Sequence, residues 1–332
     1  MIRELLGALA RRQDDHRYVL FSRSEWPEPL DERFRWRLLS LPDPAWNLWA
    51  GLDAGRHSEA FLSTNSYLTA WFTRVPTVLI VYDTIAWEVP GAAQRRAQRI
   101  ERATIRPGLR RAQAAICISE ATRRDLVARF PSVAPKTSVV PLAAAARFHE
   151  AAPRERGAFV LCVGTLEPRK NLLRAIAAHQ ALADDVRGGH PLVIAGAKGW
   201  EDEEILRGAA ASGARIHTDV SEEQLVELYA TCSVFLFPSL YEGFGLPLLE
   251  AMSTGAACIT SNLSSLPEVG GDAVRYVDPT SVDDIRGALS ELLGSPELRA
   301  QLGEKARALA GAFTWDRTAD GVLSTLLRIA ER

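Results

Sequence analysis

The chain has 332 residues, of which 47% are hydrophobic and 24% are charged, and its formal net charge is −2 at pH 7. The length suits two domains of about 150 residues each, and the composition is that of an ordinary globular protein. A nearly neutral chain has no overall attraction to nucleic acid, which argues against a nucleic-acid-binding protein.

The charge is unevenly distributed. The first 150 residues carry an excess of six positive charges, and the remainder carries an excess of eight negative charges. Ten arginines fall between Arg95 and Arg129. A solvated helical face is one interpretation of this segment, and a surface that faces anionic lipid or a phosphorylated acceptor is the other. We expect a cytoplasmic protein, with peripheral contact at the inner face of the cytoplasmic membrane as the further possibility.

Four cysteines lie in or beside apolar runs and form no CxxC pair; they are Cys117, Cys162, Cys232 and Cys258. We expect buried thiols in a reducing compartment. No apolar run approaches the ~20 residues of a membrane span. The first ten residues carry charges inside a helical pattern, so we expect no signal peptide.

In chain order, residues 1–12 have the pattern of a helix, and "RYVLFS" then predicts a strand. Short apolar runs predict further buried strands at residues 77–83, 114–119, 159–164, 191–196, 233–239 and 256–262. Amphipathic patterns between them, such as "NLLRAIAAHQAL" and "EEQLVELYATC", predict helices. Repeated strand–helix units indicate an α/β protein with doubly wound parallel sheets.

Residues 141–158 combine prolines, small residues and charges, and a fresh strand follows them. This pattern is typical of a linker. We therefore predict one Rossmann-like domain over residues 1–150 and a second over residues 151–332, whose last helix crosses back to the first.

The segment "FLFPSLYEGFGLPLLEAMSTG", residues 235–255, places two glutamates around an apolar, glycine-containing loop. It predicts a strand, a turn with Glu242, and a helix with Glu250. Ligands of open α/β sheets lie at the carboxyl ends of strands. A carboxylate accepts two hydrogen bonds from a vicinal diol such as that of ribose, and glycines let backbone amides approach a ligand.

A second motif, "VGTLEPRKNLLRAI", places Arg169 and Lys170 in a turn between a strand and a helix. Two cations at a helix N-terminus at the rim of a sheet are a site for an anion, and a diphosphate fits. A departing diphosphate gains charge in the transition state, so these cations assist catalysis as well as binding.

The two motifs, in this order and spacing, resemble the retaining glycosyltransferases of family four, which have the GT-B fold of two Rossmann-like domains facing a cleft. The resemblance extends over almost the whole chain through "ISEATRRDL", "LVIAGAKGW", "LYEGFGLPLLEAM" and "SNLSSLPEVGGDAVRYVDP". It implies that Glu250 binds ribose, that Glu242 contacts the donor sugar, and that Arg169 and Lys170 hold the diphosphate. The implied substrate-binding backbone includes Gly164, Thr165, Gly243, Phe244, Gly245 and Leu246.

On the acceptor side, "VYDTIAWEVP" resembles a His-Asp segment of the family, with Tyr82 in the place of histidine and Asp83 retained. Tyr82 either hydrogen-bonds the donor sugar or packs in the core. Asp83 either orients the acceptor, as a catalytic residue, or caps the next turn. Ser119 either faces the cleft or caps the following helix.

The family's first strand and glycine-rich turn have no counterpart at the start of this sequence. We expect a first domain without its opening strand. No Asp-x-Asp motif occurs, and the six histidines show no metal spacing. We therefore expect no metal and no cofactor, with the two cations acting in place of a divalent ion.

The resemblance is nearest to bacterial mannosyl- and other hexosyltransferases of O-antigen and exopolysaccharide synthesis. It implies transfer of a hexose from a nucleotide sugar to a glycan or polyprenyl-linked glycan acceptor. GDP-mannose is the favoured donor over UDP- and dTDP-sugars. Two alternatives stay open: a catalytically weak nucleotide-sugar-binding subunit of a polysaccharide assembly, and a nucleotide-sugar epimerase of similar fold.

Overall fold

The computed structural model describes residues 1–27, 29–64, 66–88, 95–151, 154–199 and 202–331, with the backbone alone at residues 95–97. The chain forms two compact units. The first unit contains Met1–Thr84, Arg95–Pro141 and Trp315–Arg332, and the second contains Ile85–Gln94 and Leu142–Thr314.

The first unit contains two parallel sheets. One has two strands, β1 (Tyr18–Ser22) and β2 (Phe34–Leu38). The other has four strands whose order in space is their order in the chain: β3 (Phe61–Ser63), β4 (Thr77–Val81), β5 (Ala114–Cys117) and β6 (Thr137–Val139). β4 and β5 are buried along their whole length, as expected of continuous apolar runs in a covered parallel sheet.

The second unit is built on one parallel sheet of six strands. In chain order these are β7 (Val160–Val163), β8 (Leu192–Ala195), β9 (Arg215–His217), β10 (Val234–Phe237), β11 (Cys258–Ser261) and β12 (Arg275–Val277). Their order across the sheet is β12-β11-β10-β7-β8-β9. The chain therefore starts in the middle, runs to one edge, and returns to build the other half, which is the doubly wound order of dinucleotide-binding domains.

The described helices cover these sheets. In chain order they are α1 (Ile2–Arg11), α2 (Ala45–His57), α3 (Thr69–Phe72), α4 (Ile85–Glu88), α5 (Arg95–Arg111), α6 (Glu120–Arg129), α7 (Ala146–His149), α8 (Leu172–Gln180), α9 (Asp184–Gly189), α10 (Glu203–Ser212), α11 (Glu222–Thr231), α12 (Leu246–Ser253), α13 (Leu266–Gly270), α14 (Val282–Gly294), α15 (Pro296–Ala310) and α16 (Trp315–Ala330). Two 3-10 turns span Pro131–Lys136 and Pro168–Lys170. α16 packs on α1, β4 and β5 of the first unit.

The predicted α/β class with parallel sheets is confirmed, the six-stranded sheet has the doubly wound order, and each strand run named above contains a strand. The chain opens on the helix α1, followed by β1. The arginine-rich segment forms α5 and α6; α5 buries Ile105 and Leu109 and leaves Arg99, Arg106 and Arg110 exposed. All four cysteines are buried and free. Among the described residues, no helix has the length and apolar character needed to cross a membrane.

Candidate functional site

Two loops meet at the carboxyl ends of the two central strands of the six-stranded sheet. β7 leads into the turn Pro168–Lys170, and β10 leads into the loop that contains Glu242. β7 and β10 are neighbours, and the strand order reverses between them, which is where open α/β sheets form a ligand crevice. The amide of Leu240 donates to the carbonyl oxygen of Arg169 at 2.9 Å, so the two loops are tied directly together.

Four charged side chains of these loops form one buried network. Lys170 Nζ donates to Glu242 Oε1 at 2.7 Å, and Arg169 Nη1 lies 2.7 Å from Glu242 Oε2. The guanidinium of Arg169 also pairs with Glu167 through Nη2 and donates to the carbonyl oxygen of Tyr241 at 2.8 Å. Only 7% of Glu242, 7% of Lys170 and 3% of Glu167 is exposed. Isolated charges are costly to remove from water, so pairing is what allows this burial.

The network sets the protonation of Glu242. Burial alone would disfavour its charged form, but the attraction of Lys170 and Arg169 outweighs that effect and holds its pKa below the usual range. Glu167 is the opposite case, because burial raises its pKa in spite of the neighbouring Arg169. Glu242 is therefore a carboxylate at neutral pH, fixed between two cations.

Glycines make room for the Lys170 side chain. Gly164 ends β7 with φ +146°, a conformation that side chains disfavour, and a Cβ there would lie 3.0 Å from Lys170 Cε. A Cβ on Gly196 would lie 2.0 Å from the carbonyl oxygen of Gly164, so the ends of β7 and β8 approach too closely for any side chain. The ammonium of Lys170 lies 4.8 Å from the ring centre of Phe237, within range of a cation–π contact. Thr165 is half-buried beside this turn.

Hydrogen bonds from neighbouring loops hold the backbone of the site. The amide of Glu242 donates to Ser264 Oγ at 2.9 Å, and the hydroxyl of Ser265 donates to the carbonyl oxygen of Glu242 at 2.9 Å. The side-chain Nδ2 of Asn171 donates to the carbonyl oxygens of Pro238 at 3.0 Å and Pro279 at 2.7 Å. Each bond connects the carboxyl end of one strand to the loop of another, so the site is rigid where its charges are placed.

The glycine-containing loop leads into α12. Gly245 has φ +100° and occupies the N-cap position, and a Cβ there would lie 2.7 Å from Leu266 Cδ2. Leu246 opens the helix, and its first turn contains Pro247, a position that proline favours. Phe244 is buried in an edge-to-face contact with Phe313. Gly243 is half-buried, so its side of the loop reaches the surface.

Glu250 lies further along α12 and has a different environment from Glu242. Its Oε2 accepts a hydrogen bond from the hydroxyl of Tyr229 at 3.1 Å. Burial raises the pKa of Glu250 to about 7, although the Tyr229 hydrogen bond acts in the opposite direction. At neutral pH this carboxyl group is divided between its charged and neutral forms.

In the first unit, the predicted acceptor-side residues line a cavity of about 200 Å³. Its walls are formed by Ser66, Tyr67, Ile80, Tyr82, Asp83 and Glu101. The hydroxyl oxygen of Tyr82 is buried and has no hydrogen-bond partner among the described residues. Burial, reinforced by the charge of Asp83, raises the pKa of Glu101 to about 7. Tyr82 and Asp83 therefore lie together at the end of β4, with a second carboxyl group beside them.

Ser119 acts as a helix cap. Its Oγ accepts a hydrogen bond from the amide of Thr122 at 3.0 Å, at the start of α6, and the residue is 2% exposed. This contact is the second of the two roles predicted for Ser119. In the part of the chain that the structure describes, no group of three histidine, cysteine or acidic residues is placed to hold a metal ion.

Four residues that contribute to the site were not predicted from the sequence. Glu167 occupies one edge of the Arg169 guanidinium, Ser264 and Ser265 hold the backbone of Glu242, and Tyr229 holds Glu250. Glu167 stands two residues before Arg169 in the motif, which was a usable signal. The others lie 21 to 23 positions from their partners; the segment of Ser264 and Ser265 carries the family resemblance, but neither it nor the segment of Tyr229 indicates the contact.

Two family models match the chain. Residues 146–309 match the model described as glycosyl transferases group 1, and residues 1–144 match glycosyltransferase family 4. The O-antigen chain mannosyltransferase B of Escherichia coli is 31% identical over 297 residues, which cover 85% of this chain and 76% of that protein. A serotype-specific mannosyltransferase WbdA of Escherichia coli is 37% identical over 179 residues, or 52% of this chain and 22% of that protein.

Solved structures with similar folds cover nearly the whole chain. WaaG, a glycosyltransferase involved in lipopolysaccharide biosynthesis, superimposes with a TM-score of 0.75 at 18% identity, over 98% of this chain and 94% of that one. Anabaena Alr3699/HepE in complex with UDP and glucose gives a TM-score of 0.72 at 14% identity, over 89% and 86%. At these identities the likeness concerns the fold.

Proposed function

This chain belongs to glycosyltransferase family 4 and has the GT-B fold, and from this premise we propose that it is a retaining enzyme that transfers mannose from GDP-mannose. The acceptor in this proposal is a glycan or polyprenyl-linked glycan of cell-surface polysaccharide synthesis. The proposal for the sugar and the pathway draws on the O-antigen mannosyltransferases that this chain resembles.

One observation carries the proposal: the buried network of Arg169, Lys170 and Glu242 at the switch point of the six-stranded sheet. A nucleoside diphosphate bound at this crevice brings its phosphates to the two cations. Lys170 has three donor protons and Arg169 has five, so both can bind phosphate oxygens while they remain bonded to Glu242. Glu242 is then next to the diphosphate, where the donor sugar is attached.

The reaction in this proposal breaks the bond between the anomeric carbon and the diphosphate oxygen. The electron pair leaves with the diphosphate, and its growing charge is stabilised by Arg169 and Lys170. The carboxylate of Glu242, kept ionised by these cations, stabilises positive charge on the sugar. The acceptor hydroxyl attacks the same face and gives its proton to the departing diphosphate, so the configuration is retained. The cations carry the role that a divalent metal has in other transferases.

The proposal also assigns residues to the ribose and the sugar of the donor. Glu250 binds the ribose diol, and the backbone of Gly243, Phe244 and Gly245 binds sugar hydroxyls, with Gly164, Thr165 and Leu246 completing the site. The preference for guanine rests on the resemblance to mannosyltransferases rather than on a base pocket.

The acceptor side of the proposal uses the cavity of the first unit. Tyr82 offers a buried hydroxyl with no described partner, and Asp83 and Glu101 offer carboxyl oxygens. This combination of donors and acceptors suits a sugar, whose hydroxyl groups both donate and accept. The exposed arginines of α5 suit contact with anionic lipid, and the proposal therefore includes peripheral contact with the inner face of the cytoplasmic membrane.

The test is transfer by the purified chain in the presence of EDTA. GDP-mannose, UDP-glucose and dTDP-rhamnose are each supplied with a mannose-terminated, lipid-linked oligosaccharide, and the product is analysed by anomeric NMR. We expect an α-mannoside from GDP-mannose alone. A β-linked product or an absolute need for Mg²⁺ contradicts the mechanism. Nucleotide binding without turnover supports the binding-subunit alternative, and conversion of the donor sugar without acceptor supports the epimerase.

A further inference from the structure

The carboxyl group of Glu250 accepts a hydrogen bond from a fully buried tyrosine. Tyr229, on α11, is 0% exposed, and its hydroxyl donates to Glu250 Oε2 at 3.1 Å. Its ring is enclosed by Phe148 and Phe235, with edge-to-face ring centres at 5.7 Å and 5.3 Å. A tyrosine packed on both sides in this way fixes the position of its hydroxyl, and therefore of the oxygen that accepts from it.

Two cations that lower the pKa of Glu250, Arg147 and Lys170, are paired with other carboxylates. Arg147, on α7, forms an ion pair with Glu222 at 2.9 Å, and Lys170 is paired with Glu242. Burial raises the pKa of Glu250 to about 7, and the Tyr229 hydrogen bond and the charges of Arg147 and Lys170 offset only part of that effect. Glu250 is therefore poised between its two forms at neutral pH, unlike Glu242.

We propose that Tyr229 is a positioning residue for Glu250, and that this pair makes recognition of the ribose of the donor nucleotide dependent on one proton. The proposal rests on the function proposed above, because it assumes a nucleotide whose diol reaches Glu250. Tyr229 saturates one position of Oε2, and the remaining lone pairs of the carboxylate accept the two ribose hydroxyls.

The consequence is a pH-dependent affinity. The neutral carboxyl group has a proton where a ribose hydroxyl must donate, so only the ionised fraction binds the diol fully. With a pKa of about 7, that fraction is about one tenth at pH 6, so the affinity gained from the diol falls roughly tenfold between pH 8 and pH 6. Removal of the Tyr229 hydroxyl takes away a bond that favours the ionised form, so the midpoint moves to higher pH.

The experiment compares GDP with 2′,3′-dideoxy-GDP, bound to the full chain by calorimetry from pH 5.5 to 8.5. The phosphates of both ligands titrate alike, so the ratio of the two affinities isolates the diol. We expect this ratio to rise about tenfold from pH 6 to pH 8 in the natural chain. In Tyr229→Phe, which preserves the packed ring, the same rise should occur at higher pH. In Glu250→Gln the ratio should be small and independent of pH, and the exposed Glu304→Gln should match the natural chain.

Two results overturn the proposal: a ratio that does not change with pH in the natural chain, or an unchanged midpoint in Tyr229→Phe. If neither ligand binds at any pH, the proposed function fails. The protonation of Glu250 beside Tyr229 is then tested by the pH dependence of stability alone. The usual pKa of a glutamate is 4.5, and the pKa of Glu250 in the folded chain is about 7. Between these two pH values the folded chain holds a proton on Glu250 that the unfolded chain has lost. The natural chain should therefore lose stability relative to Glu250→Gln as the pH rises through this window. Parallel stability curves overturn the proposal without any ligand.

Discussion

The loop at Glu242 and the helix at Glu250 belong to one segment, yet their carboxyl groups titrate in opposite directions. Glu242 is buried and Glu250 is half-buried, and desolvation is the largest influence on the pKa of each. Glu242 has Lys170 and Arg169 within 2.7 Å, so its pKa is lowered. Glu250 has a tyrosine hydroxyl instead, and its pKa is raised to about 7.

The difference shows that burial does not decide the charge of a carboxyl group, whereas the nature of its partner does. A cation compensates for lost hydration and fixes the group as an anion. A neutral donor compensates only in part and leaves the group free to titrate near neutral pH. Under the proposed roles, one motif would thus supply a permanent negative charge beside the reacting sugar and a proton-sensitive contact at the ribose.

The largest expected effect is at Lys170, the cation that contributes most to lowering the pKa of Glu242 below that of Glu250. Lys170→Met keeps the aliphatic stem against Gly164 but removes the charge. We expect turnover to fall about 10²–10³-fold, since a positioned charge at the leaving group is lost, with a much smaller change in donor affinity. Steady-state kinetics measure both values.

Lys305→Met removes an exposed lysine from α15 and serves as the control for the loss of one positive charge. A double substitution, Lys170→Met with Glu242→Gln, should recover stability that Lys170→Met alone loses, because it no longer leaves a carboxylate short of a partner. If Lys170→Met changes only the Michaelis constant, the ammonium binds the donor without assisting departure.

The second effect separates the two carboxyl groups by their response to a nucleotide without sugar. Glu250→Gln should weaken GDP binding at pH 8 by about 10- to 100-fold, because hydrogen bonds to a charged group contribute roughly 1.5–3 kcal/mol. Glu242→Gln should bind GDP no more weakly than the natural chain, because it removes a negative charge beside Arg169 and Lys170. Calorimetric titration of both variants tests the pair; equal losses would show that the two residues share one role.

Much of this site follows from sequence. The apolar runs of β7 and β10 predict buried parallel strands, and the turns after them predict that Lys170 and Glu242 reach the same rim of the sheet. The resemblance to family 4 assigns Glu250 to the ribose. Local pattern and family motif together thus give the strands, the rim and the candidate residues.

The pairing inside the site does not follow from sequence. Lys170 and Glu242 are 72 positions apart, and Ser265 lies 23 positions from Glu242. Their contacts depend on which strands are neighbours, and apolar runs do not encode the order of strands across a sheet. The same reason explains the first unit, where similar runs form two separate sheets. The raised pKa of Glu250 could not be predicted, because its cause is burial, which depends on how α12 packs in the folded chain.

A smaller effect tests whether the position of Glu242, and not only its charge, matters. Ser265→Ala removes the hydroxyl that donates to the Glu242 carbonyl oxygen at 2.9 Å and should cost about 1 kcal/mol of stability. Turnover should fall several-fold, because a small displacement of a catalytic group is costly, while GDP affinity is unchanged. Ser295→Ala removes the N-cap of α15 and should lose similar stability with full turnover. Equal turnover in the two variants would show that Ser265 does not position Glu242 for the reaction.

The smallest effect extends the comparison to a third carboxyl group, Glu101 in the first unit. Burial, with the charge of Asp83, raises its pKa from 4.5 to about 7, as expected of a partly buried acid beside another acid. Between these pH values the folded chain holds a proton that the unfolded chain has released, so the contribution of Glu101 to stability decreases as the pH rises through the window. Relative to Glu101→Gln, the natural chain should lose on the order of 1 kcal/mol of unfolding free energy between pH 5 and pH 8, after allowance for the exposure of Glu101.

Asp83→Asn removes the like charge and should shift this loss of stability to lower pH, since the charged form of Glu101 is then less disfavoured. Chemical denaturation across pH measures all three chains. If Asp83→Asn leaves the curve unchanged, the two acids do not interact in the cavity, and desolvation alone governs Glu101.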